Sequence, residues 1–448
     1  MKTIILLITG VAFLLYSNPV KAQERPQRYS LGQCLDFAVN NSYPAYRAAL
    51  DMEEAVHQKQ EVRSGILPQI NGSGSFDNNV ILGKTMLPGE IIGEPGVQIP
   101  VEMGTKNTLD FTASLEQVLF DPSLFTGIKI AKNNYELQRL RSIMTKEEII
   151  FDVSYAFYDI LNSMQELDNI RYMIEKQDSL HILMKERVQQ NITREVDLNR
   201  IKVNLINLRI RGEHIKNTIA QQKRYLQILL GMPVEERLEL DDSEMKNIVA
   251  PTLHSCSPPQ DRIELTILEK QKDILDLQIK QERMRYLPTL SAVASAGYQF
   301  QSDKLNLSKE PWFNSVMVGV RLTVPLFDGF SKYSQVKQRQ IQRQRLEWDM
   351  QETQQNIAAS YRNAQEQLTV TYESVQAQKE NLQLAEKVYA QSMMLYKEGL
   401  AGMTDLLETE TSLREAKITY AAELIRFRKT EVDMLKANGI LENLLNNK

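Results

Sequence analysis

The strongest constraint on the fold is that one series of sequence markers occurs twice along this 448-residue chain. The pentapeptide ILPQI at 66–70 recurs as YLPTL at 286–290, an offset of 220. The tetrapeptide VLFD at 118–121 recurs as PLFD at 325–328, an offset of 207. This repetition predicts a fold built from two copies of one supersecondary unit.

Residues at seven-residue spacing follow the same repetition, at an offset of 208. The second copy carries Leu406, Leu413, Tyr420, Phe427 and Met434, and the corresponding residues of the first are Leu198, Leu205, Gly212, Ile219 and Leu226. A strict seven-residue period is typical of left-handed coiled coils, whereas the stripe of an ordinary amphipathic helix drifts off it. The pattern therefore predicts coiled-coil helices in both copies.

Long stretches without proline or glycine predict unusually long helices. One lies between Gly127 and Gln190 and the other between Phe330 and Glu398. Helices of that length reach about 95 to 100 Å. Each is followed by a shorter returning helix, over 195–230 in the first copy and 404–438 in the second. Helices this long need partners to bury their apolar stripes.

Each copy also begins with a helix, over 30–64 and over 261–285. Ser30 and Gln33 form a capping box at the first of these, and we expect that helix to break near Asn41. The combined lengths of the opening and returning helices nearly match each long helix. We therefore expect two short helices to stack end to end beside each long one.

Two segments, 109–116 and 316–324, alternate between apolar and polar residues, and weaker strands precede them at 69–76 and 290–300. These lengths are near what a tilted membrane-crossing strand requires. Four strands cannot close a barrel, but three chains together would supply about 12. The alternative is a soluble four-stranded sheet with one face in water. The segment 77–107 is predicted to be a cell-surface loop.

The N-terminus is typical of a secretory signal peptide, predicted over residues 1–22. Lys2 provides a positive end and an apolar run over 4–16 follows, which is too short for a membrane-spanning anchor. The predicted first repeat covers 23–250 and the second covers 251–448. The first contains a β-hairpin at 69–119 and helices to 231, and the second a hairpin at 289–326 and helices to 438.

Composition excludes several functional classes. Removing Lys2 and Lys21 with the signal peptide lowers the net charge from −4 to −6, so there is no basic excess for nucleic-acid binding. We expect no metal site and no cofactor, because the four histidines are scattered and no phosphate-binding or nucleophile motif is present. An enzyme is therefore not expected. Cys34 and Cys256 are either bridged in an oxidising compartment or two buried thiols.

Several of these segments resemble the TolC family of outer-membrane efflux proteins. They are LP at 67–68 and 287–288, PLFDG at 325–329, SQVKQ at 334–338, YKEG at 396–399 and DLLE at 405–408. The resemblance spans nearly the whole mature chain. It implies a homotrimer in the outer-membrane lipid, whose 12-stranded β-barrel continues into a long periplasmic α-helical coiled-coil barrel. It also implies docking on an inner-membrane transporter through a periplasmic adaptor.

The resemblance also identifies candidate site residues at the helical turns that end the long helices. Asp405 and Glu408 match the family's acidic constriction, and Tyr396 and Asp197 match a pair whose hydrogen bond holds the channel closed. The turn residues Asn191, Gly399 and Gly402 are expected at the tips where the adaptor docks. Alternatively, the Asp405 and Glu408 spacing forms a helix-start capping box. Leu424 stands where the family places a gate-linking arginine, and Arg426 and Arg428 lie nearby.

The sequence thus predicts a trimeric outer-membrane channel for the efflux or export of small molecules or proteins. The second hypothesis is a secreted or surface coiled-coil structural protein, such as an adhesin stalk. A duct must resist extraction from the outer membrane and conduct ions, and an adhesin stalk need do neither.

Overall fold

A computed structural model of the chain describes residues 28–88, 93, 96, 98–241, 261–307 and 311–446. The helices are α1 (Leu31–Asn41), α2 (Tyr43–Ser64), α3 (Pro122–Gln189), α4 (Glu195–Leu230), α5 (Ile263–Met284), α6 (Ser331–Lys397), α7 (Met403–Asn438) and α8 (Asn443–Asn446). The strands are β1 (Gln69–Asn78), β2 (Lys84–Pro88), β3 (Gln98–Glu102), β4 (Asn107–Phe120), β5 (Thr289–Ser302) and β6 (Trp312–Thr323). The predicted signal peptide and Cys256 lie outside the described residues.

Two very long helices, α3 with 68 residues and α6 with 67, set the dimensions of the protein. Each is about 100 Å long. Helix α3 begins earlier than predicted, because Pro122 occupies its first turn and the Asp121 carboxylate accepts hydrogen bonds from the next amides. Gly127 therefore lies inside the helix. A Cβ there would stand 3.0 Å from Nε2 of Gln281, so glycine permits the close approach of α5.

The shorter helices pack along the long ones. Helices α2, α4 and α5 contact α3, and α5 and α7 contact α6. A further contact between α3 and α7 joins the two coiled coils, which gives the lateral order α4–α3–α7–α6. The predicted heptad positions face these contacts, because Leu205, Leu226, Leu406, Leu413 and Phe427 are all buried.

The largest apolar core lies where α1, α3, α4, α7 and α8 meet. The predicted capping box is present, since Ser30 N donates to Oε1 of Gln33 at 3.0 Å and Gln33 N donates to Oγ of Ser30 at 3.3 Å. The predicted break falls at Ser42, which ends α1 and caps α2. Cys34 is buried in this core as a free thiol, and burial raises its pKa to about 12.

Four strands form one antiparallel sheet in the order β1–β4–β5–β6. Its register pairs Gln69 with Glu116 and Thr289 with Thr323. Strands β1 and β6 are its edges. The apolar side chains of β6 are exposed in the protomer: Val316, Val318, Val320 and Leu322.

The segment predicted as a loop over 77–107 contains a second, two-stranded sheet of β2 and β3. The strands pair from Lys84 with Glu102 to Pro88 with Gln98. The sequence did not reveal this hairpin because its strands are only five residues long and lie among glycines and prolines. The chain as a whole combines long helices with a small sheet. Within the described ranges, no helix has both the length and the apolar character to cross a membrane.

Gly231 is the residue at which the end of α4 approaches the break between α1 and α2. Its φ of +74° is left-handed, and a Cβ on it would lie 2.2 Å from the carbonyl oxygen of Asn41. Backbone atoms at that distance cannot move aside as a flexible side chain can. Glycine is therefore required here both by conformation and by space.

We predict that Gly231→Ala lowers the thermal stability of the purified protein substantially. The left-handed conformation alone costs alanine about 1–2 kcal/mol, and the overlap with Asn41 adds to it. Gly329→Ala is the matched control, because Gly329 has a φ of +63° with no atom within 4 Å of the added Cβ. Equal decreases in melting temperature for the two variants would contradict the close-packing argument.

Candidate functional site

The predicted site residues all lie at one end of the rod, where α3 turns into α4 and α6 turns into α7. Asn191 and Gly399 both adopt the left-handed conformation, with φ of 59° and 76°. In each turn the next amide donates to the carbonyl oxygen five residues earlier, at 2.9 Å. This is the bonding pattern of a helix that ends in a left-handed residue. The two tips are therefore built in the same way.

Gly402 and Asp405 organise the start of α7. Gly402 is the N-cap residue in an extended conformation, and its amide donates to Oδ2 of Asp405 at 3.1 Å. Asp405 is thus the third residue of α7 and the capping partner of Gly402, so the expected capping box between Asp405 and Glu408 is wrong. Its side chain is nevertheless exposed, as is that of Glu408 almost one turn further along. A cap contact to one oxygen leaves the charge of Asp405 on the protomer surface.

Tyr396 is buried at the end of α6, and burial raises its pKa. Its hydroxyl donates to Sδ of Met184 at 2.8 Å. The negative charge of Asp197 also raises the pKa of Tyr396, which places the two predicted partners in one electrostatic environment. Asp197 itself lies 3.8 Å from Nη1 of Arg200. A hydrogen bond between Tyr396 and Asp197 therefore stays a prediction.

Two arginines that the sequence did not single out connect the tips of the two coiled coils. Nη2 of Arg187 donates to the carbonyl oxygen of Lys397 at 3.2 Å, and its guanidinium lies 5.7 Å from the centre of the Tyr396 ring. Nη1 of Arg200 donates to Oγ1 of Thr404 at 3.4 Å. The only sequence signal for these contacts was Arg187 as a basic residue in the last turn of α3. The helix dipole favours a basic residue there in any helix, so this signal is not specific.

An apolar cluster lies beneath these polar contacts. It contains Leu180, Met184, Ile201, Tyr396, Met403 and Leu406, which come from α3, α4, α6, α7 and their ends. The tips are thus held by a small core with arginine contacts at its surface. Across the described residues, no group of His, Cys, Asp and Glu could hold a metal ion.

Comparisons with known proteins agree with this architecture. Residues 264–437 match the family model described as outer membrane efflux protein. The outer membrane protein TolC of Salmonella enteritidis is 19% identical over 459 residues, covering 98% of this chain and 87% of that protein. The crystal structure of the outer membrane protein VceC from Vibrio cholerae has a TM-score of 0.72 at 14% identity, covering 91% of this chain and 96% of that one. The CmeC outer membrane channel of Campylobacter jejuni has a TM-score of 0.71 at 16% identity, covering 91% of this chain and 85% of that one.

The long paired helices and the small antiparallel sheet thus give this chain the fold of these outer-membrane channel proteins. The family match and the TolC relatives together indicate a TolC-type outer-membrane factor. The resemblance drawn from the sequence motifs is thereby confirmed, and so is the expected location in the outer membrane.

We predict that Arg187→Ala loosens the tip of the second coiled coil. One hydrogen bond from a charged group at an exposed site contributes roughly 1 kcal/mol, so amide hydrogen exchange over residues 398–406 should accelerate about fivefold. Arg209→Ala is the control, because Arg209 pairs with Asp178 at 3.0 Å inside the first coiled coil. Exchange over 398–406 that is equal in the two variants would show that Arg187 does not connect the tips.

Proposed function

We propose that three copies of the chain form one closed duct that exports small molecules or proteins across the outer membrane. The single observation that carries this proposal is the open four-stranded sheet, whose edge strands β1 and β6 lie at opposite sides. Unpaired strand edges are not tolerated in hydrocarbon. Three such sheets supply about 12 strands, which is enough for a closed barrel with a lumen.

The helical rod supports the same assembly. Helices α4 and α6 are the outer helices of the protomer, and each carries apolar residues that no neighbour covers. On α4 these are Val196, Val203, Ile206 and Ile210, at 59%, 59%, 46% and 52% exposure. On α6 they are Leu384, Val388 and Leu395, at 61%, 41% and 44%. Both sets have coiled-coil spacing, so α4 of one copy pairs with α6 of the next.

The proposed gate lies at the tips of this assembly. Asp405 and Glu408 are exposed in the protomer, so three-fold symmetry would place six carboxylates around one axis. Such a ring attracts cations and repels anions. The bond of Arg187 to Lys397, the apolar packing of the Tyr396 ring and the predicted bond of its hydroxyl to Asp197 hold the tips in the closed arrangement. Opening moves the tips apart, and the duct itself supplies no energy.

The turns at Asn191, Gly399 and Gly402 form the proposed docking site for a periplasmic adaptor, which connects the duct to an inner-membrane transporter. Ile192 and Leu400 support this, because each follows the left-handed residue of its turn and exposes its side chain, at 65% and 72%. Exposed apolar residues at equivalent places suit contact with another protein. The same equivalence supports two repeats, which we place at 23–250 and 251–448.

We predict that the purified protein conducts ions in planar lipid bilayers and is blocked by multivalent cations from the tip side. Asp405→Ala combined with Glu408→Ala should weaken that block, because the ring of carboxylates is removed. Glu415→Ala, further along α7 and also exposed, is the control. No conductance from the pure protein would reject the duct, whereas unchanged block in the double variant would reject only the gate.

We also predict that Val203→Lys combined with Ile210→Lys dissociates the assembly. If α4 packs against a second copy, the two ammonium groups are buried without partners, which is strongly unfavourable. The measurement is the mass of the detergent-solubilised protein by light scattering. Lys202→Glu changes the charge at the neighbouring exposed position and should leave the trimer intact. A trimer that persists in the double variant would show that the contact between copies does not involve this face of α4.

A further inference from the structure

Near the tip, two apolar clusters of the rod are separated by one polar layer. The cluster on the tip side is centred on Leu406, and the cluster on the other side on Leu413, both of α7. Between them lie Gln177 of α3 and Glu410 of α7, which are only 1% and 5% exposed. A buried carboxyl group at a helix contact is rare unless it is paired. This layer is therefore a specific feature of the α3–α7 contact.

The hydrogen bonds of this layer are incomplete. Nε2 of Gln177 donates to Oε2 of Glu410. Oε1 of Gln177 and Oε1 of Glu410 are both buried, and neither has a hydrogen-bond partner among the residues that the structure describes. Both atoms are acceptors when the carboxyl group is ionised, so neither can satisfy the other. A proton on Glu410 converts one of them into a donor, which is the hydrogen that the pair lacks.

The charged groups around the layer do not replace that proton. Burial raises the pKa of Glu410, although the hydrogen bond from Gln177 and the charge of Arg414 act to lower it. Lys417 is engaged elsewhere, 4.0 Å from the centre of the Tyr172 ring and 3.7 Å from Glu386. Tyr389 of α6 also lies near the layer, because burial and then the charge of Glu410 raise the pKa of Tyr389. On α3, Lys176, Asp178 and His181 are the ionisable neighbours of Gln177 in sequence, and Arg209 of α4 pairs with Asp178 at 3.0 Å.

We propose that Gln177 and Glu410 form a proton-controlled joint between the two coiled coils of each protomer. With Glu410 protonated, the layer is satisfied and α7 stays packed on α3. With Glu410 ionised, a buried charge weakens this contact, and the tip of α6 and α7 moves away from α3. The inference rests on the proposed gate, because it assigns a regulating ligand, the proton, to the opening of the same tips.

The sign of the pH dependence follows from the packed state. Because burial raises the pKa of Glu410, packing binds the proton more tightly than separation does. The contact is therefore strongest at acidic pH, and it weakens as the pH rises above the ordinary range of a glutamate carboxyl group. The ratio of closed to open channels changes by up to about tenfold for each unit by which packing raises that pKa.

The test is run in a background that lacks the gate carboxylates and the His181 imidazole. The full chain carrying Asp405→Asn, Glu408→Gln and His181→Gln serves as the background, so neither the gate carboxylates nor that imidazole contributes. Its conductance in planar bilayers is recorded between about pH 4.5 and pH 8, which brackets an ordinary and a raised glutamate pKa. The open fraction should rise with pH. Adding Glu410→Gln should keep it low at every pH, because the layer is then permanently neutral.

Thermal unfolding of the same two proteins gives a readout that needs no conductance. The background protein should melt at a higher temperature at pH 5 than at pH 8, and Glu410→Gln should remove most of that difference. Glu410→Leu, which leaves no carboxyl group, should remove it as well. If Glu410→Gln retains both pH dependences, the joint is rejected. If the background protein never conducts but its melting behaves as expected, the proposed channel fails and the joint stands.

Discussion

A helix of about 100 Å is stable in water only where other helices cover its apolar stripe. Within one protomer, neighbouring helices cover only one face of each outer helix. The heptad residues Leu406, Leu413 and Phe427 are buried between helices, but the outer faces of α4 and α6 keep exposed apolar residues. The sheet has the same incompleteness, since among the described residues each of its two edge strands is paired on one side only. Rod and sheet both support the proposed arrangement of several copies of the chain around one axis.

The sequence predicted the elements whose signals are local or periodic. The seven-residue stripe, the proline-free stretches and the capping box at Ser30 gave the helices to within a few residues. Strand alternation located the four strands of the main sheet. Contacts between distant residues were not predictable in this way, because Arg187 and Lys397 lie 210 positions apart. The hairpin of β2 and β3 was missed because its short strands show no clear alternation.

Packing differs strongly between the two ends of the coiled coils. At the end far from the tips, the backbones are packed so closely that a Cβ on Gly231 would lie 2.2 Å from the carbonyl oxygen of Asn41. At the tips, Gly399 has no atom within 4 Å of where a Cβ would lie, and the bonds between the coiled coils come from exposed arginines. The polar layer of Gln177 and Glu410 interrupts the apolar contact between these ends. This difference in packing supports the proposed opening at the tips.

The largest core brings together parts of the chain that are far apart in sequence. Tyr29, Leu240 and Leu441 all belong to it, and residue 29 bridges residue 240 in a short parallel pairing. Closing loops of about 200 residues is slow compared with forming helical hairpins. The paired helices are therefore expected to form early during secretion. This core can be completed only after Leu441 has emerged. A nascent chain paused before that point would expose apolar surface and depend on chaperones in the periplasm.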